Sequence, residues 1–127
     1  MRACRPQGFT LIELLVVLAI IGTLITIALP KYLHSVERSK EAVLHQDLRA
    51  MRTAIDQFFA DTGRYPQALD DLVAGRYLRS LPEDPETGSA ATWIPVAPPE
   101  GVAGTGVYDV RSGAPGVSLE GSAYAQW

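Results

Sequence analysis

GFTLIELLVVLAIIGTLITIALP, from Gly8 to Pro30, is the stretch that decides how this chain is read. Between Phe9 and Leu29 its only charged residue is Glu13. At ~1.5 Å per residue, those 21 residues make a helix of ~31 Å, enough to cross the hydrocarbon core of a bilayer. From Lys31 onward the sequence is polar and of mixed charge, as in a soluble domain. A chain of 127 residues has room for one such domain and not for two. One membrane segment therefore carries one small domain.

An apolar run near an N-terminus also fits a secretory signal that is cut off and lost. This run exceeds the usual ~7–15 residues of a signal core, and no A-x-A-like site follows it. The chain continues instead into Pro30-Lys31-Tyr32 and a helical pattern. Hydropathy alone fits a generic single-span anchor equally well. Basic residues set no direction, since Arg2 and Arg5 flank one end while Lys31, Arg38 and Lys40 flank the other.

Glu13 needs a reason to be where it is. A charge at the centre of a span costs about 2.5–3.5 kcal/mol. Glu13 lies only ~6 Å along the helix axis from its start, where the cost is smaller. Thr10-Leu11-Ile12-Glu13 fits the capping box T-x-x-E, and an acid in the first turn suits the helix dipole.

Gly8 to Pro30 also resembles the N-terminal motif of type IV pilins and type II secretion pseudopilins. The features that carry the likeness are a glycine ending a short basic leader, then Phe9-Thr10-Leu11-Ile12-Glu13, then an unbroken apolar helix. The resemblance implies cleavage between Gly8 and Phe9 by a membrane-embedded prepilin peptidase, and N-methylation of Phe9. It also gives Glu13 a second use: pairing with the cationic Phe9 amine of a neighbouring subunit as a filament grows. Gly22 and Pro30 fall where the family places helix-weakening residues. Proline cannot donate to the carbonyl four residues back, and glycine lowers helix propensity by ~1 kcal/mol relative to alanine. Both residues are also simply common in membrane helices.

Beyond Tyr32 the pattern stays helical to Ala60. Leu44, Leu48, Met51, Ile55 and Phe58 recur at helical spacing and form one core-facing stripe. Phe9 to Ala60 then makes a helix of ~78 Å. Gly63 is a candidate left-handed cap. Pro66 can open a short helix through Leu72. Tyr77-Leu78 and Leu81-Pro82 are expected to pack, and Asp84-Pro85 to start a turn. Thr92–Val96 and Val107–Arg111 read as strands around a hairpin loop, Ala97 to Thr105, with Pro95 marking an edge. The expected fold is α+β and pilin-like, a long N-terminal helix packed on a small antiparallel sheet. The expected organisation is a removed leader (1–8), a transmembrane and assembly half-helix (9–30), and a periplasmic domain (31–127).

This second half resembles the major, G-type pseudopilin more than an adhesive pilin. The residues that carry the likeness are Thr62-Gly63-Arg64-Tyr65-Pro66, the run Tyr77 to Pro85, the strand Val107 to Ser112, and Trp127. Major pseudopilins usually have an aspartate-rich calcium loop before the final tryptophan. Here that loop reads GAPGVSLEGSAYAQW, and its only acid is Glu120. Calcium wants six to eight oxygens with several carboxylates among them, so no metal site is expected.

Other chemistry is thinly represented. Without the leader, nine basic residues face fourteen acidic ones, a net charge of −5 with no basic cluster, and no nucleic-acid partner is expected. Cys4, the only cysteine, lies in the leader, so the remaining domain has no disulfide; no apolar signal precedes Cys4 to make it a lipidation site. His34 and His45 stand apart, while Asp70-Asp71 and Glu83-Asp84-Glu86 read as surface and turn acids. No nucleophile elbow, phosphate loop or metal-ligand cluster occurs, and neither catalysis nor a cofactor is expected. The resemblance implies a periplasmic pseudopilus subunit that drives type II secretion. Its partners would be copies of itself, other pseudopilins, the prepilin peptidase and the inner-membrane assembly platform. The alternative is a type IV pilus subunit for adhesion, twitching or DNA uptake.

Overall fold

The structure, a computed structural model, describes residues 2–127. Its elements are α1 (Leu11–Thr62), α2 (Asp70–Ala74), β1 (Ile94–Val96), β2 (Asp109–Arg111) and a final 3₁₀ turn, Tyr124–Gln126. The chain divides into two compact units at Val36/Glu37, and α1 runs through the division.

In the first unit the apolar side chains from Phe9 to Leu33 are exposed all round the helix. No other element of the unit covers them, as expected for a face meant for lipid or for other helices. Two hydroxyls within the apolar stretch bond back to the helix: Thr23 Oγ1 donates to the Ala19 carbonyl and Thr26 Oγ1 to that of Gly22, both at 2.8 Å. Such back-bonding lets a polar side chain sit among apolar ones without an unmet donor. Helical structure continues without a break through Gly22 and Pro30.

In the second unit the α1 stripe is the foundation. Leu44, Leu48, Met51, Ile55 and Phe58 are all buried, and Ala54 joins them. Tyr65, Leu69, Leu72, Trp93, Val107, Val110, Ala114 and Tyr124 close over it, with Tyr77, Leu78, Leu81 and Trp127 at the margin. Each large apolar side chain taken fully from water contributes about 1.5–3 kcal/mol. The sheet itself is slight. β1 and β2 pair antiparallel over three residues each, in the register Ile94–Arg111, Pro95–Val110, Val96–Asp109. Arg52 ties the sheet to the helix: its Nε donates to Asp109 Oδ1 at 2.7 Å, and Nη2 to the Val110 carbonyl at 3.0 Å. Trp93 Nε1 donates to the Pro82 carbonyl at 2.7 Å, so this buried indole has its polar edge satisfied.

Two glycines answer to geometry. Gly63 takes φ +72° and its N–H returns to the Phe59 carbonyl at 2.8 Å, the left-handed cap that its position predicts. Gly106, at φ +118°, lets the chain approach Pro66 so closely that a Cβ would stand 2.5 Å from the Pro66 oxygen.

Several boundaries differ from the sequence-based expectation. α1 begins at Leu11 rather than Phe9, because Thr10 is its cap, and it ends at Thr62 rather than Ala60. The second helix is Asp70–Ala74, not Pro66–Leu72. Asp71 Oδ2 accepts from the N–H groups of Gln67 (2.8 Å) and Ala68 (3.3 Å), fixing residues ahead of the helix as a turn. Both strands are shorter than expected, and Trp93 lies in the core ahead of β1. Asp84 is not a surface acid. It is fully buried, accepts from Ser112 Oγ and from the Glu86 N–H, and so pins the 84–89 turn to the end of β2.

Glu86 sits beside this turn with its Oε1 buried and without a hydrogen-bond partner among the described residues. Burial raises its pKa, and the charge of Glu37 adds to that; Lys40 partly offsets the effect, while Asp84 and Glu41 reinforce it. Burial, then Asp84, raises Asp47 in the same way. A carboxyl with a raised folded-state pKa binds its proton more tightly folded than unfolded, so its contribution to stability falls as pH rises through that pKa. Glu86→Gln is therefore expected to melt above the wild type at neutral pH. The gap should close as pH falls into the range just above ordinary carboxylate values, as followed by circular dichroism across a pH series.

Candidate assembly site at the head of α1

Four unpaired N–H groups open every α-helix and need acceptors. Here Thr10 and Glu13 supply them reciprocally. The Glu13 N–H donates to Thr10 Oγ1 at 3.2 Å, the Thr10 N–H donates to Glu13 Oε2 at 3.4 Å, and the Leu14 N–H closes the first turn on the Thr10 carbonyl at 3.2 Å. With Leu11 as the first helical residue, Glu13 is at N3, the position a capping box requires. Phe9 and Leu14, immediately before the cap and at the fourth helical position, line one cleft with Glu13 and Val17. That is the placement of a hydrophobic staple.

Gly8 and Phe9 lie in non-helical, exposed chain just ahead of the cap, and a Cβ at Gly8 would meet nothing within 4 Å. Gly8, Phe9 and Glu13 line one further cleft, with Pro6 and Gln7. Three of the residues singled out from the sequence thus come together, on a helix end whose carboxylate is exposed. One acceptor position of Glu13 is used by the cap, and a carboxylate has about four. Gly22 and Pro30 lie further along α1 and take no part in this cluster.

The remaining titratable residues sort differently. His34 is exposed on α1. His45 stacks on Trp127, with ring centroids 3.9 Å apart and planes 13° from parallel, a contact no local pattern announces. Glu120 is exposed. Tyr77 donates to Asp61 Oδ2 at 3.0 Å, and that bond raises its pKa. Tyr124 is held high by burial and by its hydrogen bond to Glu41. Glu41 accepts from two groups about 80 residues away, and no spacing along the chain could have pointed to them.

A reciprocally capped apolar helix whose second half carries a small α+β domain defines a pilin-like subunit. The family model for the prokaryotic N-terminal methylation motif matches residues 4–29. Core protein G of the type II secretion system from Klebsiella pneumoniae is 34% identical over 97 residues, covering 64% of this chain and 69% of that one. The protein of the same name from Escherichia coli K12 is 31% identical over 132 residues, covering 91% of this chain and 86% of the relative. The type IV major pilin protein PilA of Myxococcus xanthus is 41% identical over 68 residues, or 54% of this chain and 31% of that protein. No solved structure matches. The chain belongs to the type II secretion system core protein G family, the G-type pseudopilins. Its N-terminal apolar helix suits a single-pass inner-membrane protein.

The cap makes a prediction of its own. Thr10→Ala removes the acceptor for the Glu13 N–H, and loss of such a cap costs about 0.5–2 kcal/mol. In detergent micelles the amide of Glu13 should exchange faster in the variant, while the melting of the second unit stays unchanged.

Proposed function

We propose that this chain is the structural subunit of a periplasmic pseudopilus that drives type II secretion of folded proteins across the outer membrane, with no catalytic role. The observation that carries the reading is the reach of the similarity. The match to core protein G of Escherichia coli extends over 91% of the chain, well past the shared N-terminal motif. The match to the pilin covers 68 residues, 54% of the chain.

In this reading residues 1–8 are the leader, 9–30 the membrane and assembly half-helix, and 31–127 the periplasmic domain. Prepilin peptidase cuts after Gly8 and methylates the amine of Phe9, which stays cationic. Glu13 of an incoming subunit then pairs with that amine on its neighbour. At 4 Å and an effective dielectric of 20 the attraction is ~4 kcal/mol before desolvation. That pairing sets axial register, while the exposed apolar faces of Phe9 to Leu29 supply most of the contact. Gly22 and Pro30 mark a segment that loosens as helices pack. Other pseudopilins and the inner-membrane assembly platform are the further partners.

Two variants separate capping from assembly, because glutamine serves at N3 of a capping box as well as glutamate does. Glu13→Gln and Glu13→Ala should both be cleaved normally, and both should be missing from sheared or crosslinked filaments. Incorporation of Glu13→Gln at the wild-type level would leave capping as the residue's whole purpose. For the machine itself, a clean deletion strain should retain particular exported proteins in its periplasm and release them on complementation. Unchanged secretion accompanied by lost twitching or DNA uptake would move the chain to the pilus class.

A further inference from the structure

The loop in which the resembled family places calcium does not fit that ion here. Glu120 is the only acid between Gly113 and Trp127, and it points to solvent. Among the described residues, no three His, Cys, Asp or Glu side chains come together as a metal-binding group. A hard cation takes six to eight oxygen ligands, carboxylates prominent among them, and this loop offers one carboxylate.

The loop is nevertheless tightly organised, and its fastening has the opposite polarity. Internally, the Ser118 N–H donates to the Ser122 carbonyl at 2.7 Å, their hydroxyls lie 2.8 Å apart, and Val117 bridges Ala123. Externally, Glu41 on α1 does the holding. Its Oε1 accepts from the Leu119 N–H at 2.7 Å and from the Tyr124 hydroxyl at 3.0 Å. One turn further along the same helical face, His45 stacks on Trp127, whose Nε1 donates to Ser122 Oγ at 2.8 Å. A cation gathers a loop by its carboxylates and carbonyls; a carboxylate gathers one by its N–H and O–H groups. This loop is short of acids and presents donors, and a carboxylate stands where the donors converge. Hydrogen bonds to an ionised acceptor are the stronger kind, and one oxygen here takes two.

We propose that Glu41 fastens the 117–127 segment to α1 in place of a bound cation, so that this subunit's domain closes without calcium. The inference rests on the chain's place among the G-type pseudopilins, and it is independent of which machine the filament serves.

The test uses the full-length chain in detergent micelles, with calcium and a chelator as probes. Melting and amide exchange are compared in millimolar calcium and in excess EGTA. For the wild type the two conditions should give the same melting point and the same exchange across residues 113–127. Glu41→Ala should speed exchange of the Leu119 amide by about tenfold or more, the scale for loss of a charge-assisted hydrogen bond. It should also hasten release of the peptide 121–127 by a protease that cuts after Glu120. Tyr124→Phe, which loses one of the two donors, should move both readouts the same way by less, and Glu120→Gln should leave exchange at Leu119 alone. If Glu41→Ala does not fold, Glu41→Gln and Tyr124→Phe decide the matter. Calcium that raises the wild-type melting point reversibly, or unchanged Leu119 exchange in the Glu41 variants, would overturn the proposal.

Discussion

Everything after Thr62 folds against one face of one helix. β1 and β2 have three residues each, and a two-stranded ribbon of that length has no stability of its own in water. It persists because Val110 is buried against the stripe Leu44–Phe58 and because Arg52 grips both the side chain and the backbone of β2. The long connections are fixed by a few polar contacts rather than by regular structure. Asp84 holds its turn to Ser112, Trp93 holds to the Pro82 carbonyl, and Glu41 holds the final segment. Removing the apolar stripe would leave these contacts with nothing to organise.

At the other end of α1 the governing constraint is different. An apolar helix has to begin somewhere, and its first N–H groups need acceptors even where the surroundings supply few. Thr10 and Glu13 meet that need with two side chains at the required spacing. The carboxylate that closes the cap is also the only charge between Phe9 and Leu29. Capping and the proposed pairing across subunits therefore do not compete for Glu13: the cap uses one acceptor position and leaves the rest of the exposed carboxylate outward.

Periodic features were legible in the sequence, and contacts between distant segments were not. The α1 stripe, the Gly63 cap, the antiparallel pair and the T-x-x-E box could be read because each follows from local periodicity or turn chemistry. The start of α2 was misplaced because the Asp71 carboxylate reaches back to Gln67 and Ala68, which propensity does not encode. Asp84 looked like a turn acid because acids before proline usually are. Its burial depends on Ser112, 28 residues on. Glu41 and His45 carry no local sign of a partner, and their partners, Leu119, Tyr124 and Trp127, lie at the far end of the chain. In the candidate site Gly8, Phe9 and Glu13 could be singled out together because the motif that carries the family resemblance holds all three within six consecutive residues.

The pairing of Glu41 with Leu119 and Tyr124 closes loops of 78 and 83 residues. Contacts of such sequence separation carry a large entropy of closure, and they form after local ones in time. α1 and the turn around Asp71 can organise as soon as their residues exist, whereas the stripe stays partly open until residues 117–127 arrive. The order of events is thus built into the chain: the helix is ready early, and the seal on its domain comes last. Loss of that seal would uncover part of the apolar stripe of α1, because Tyr124 is one of the side chains that close over it.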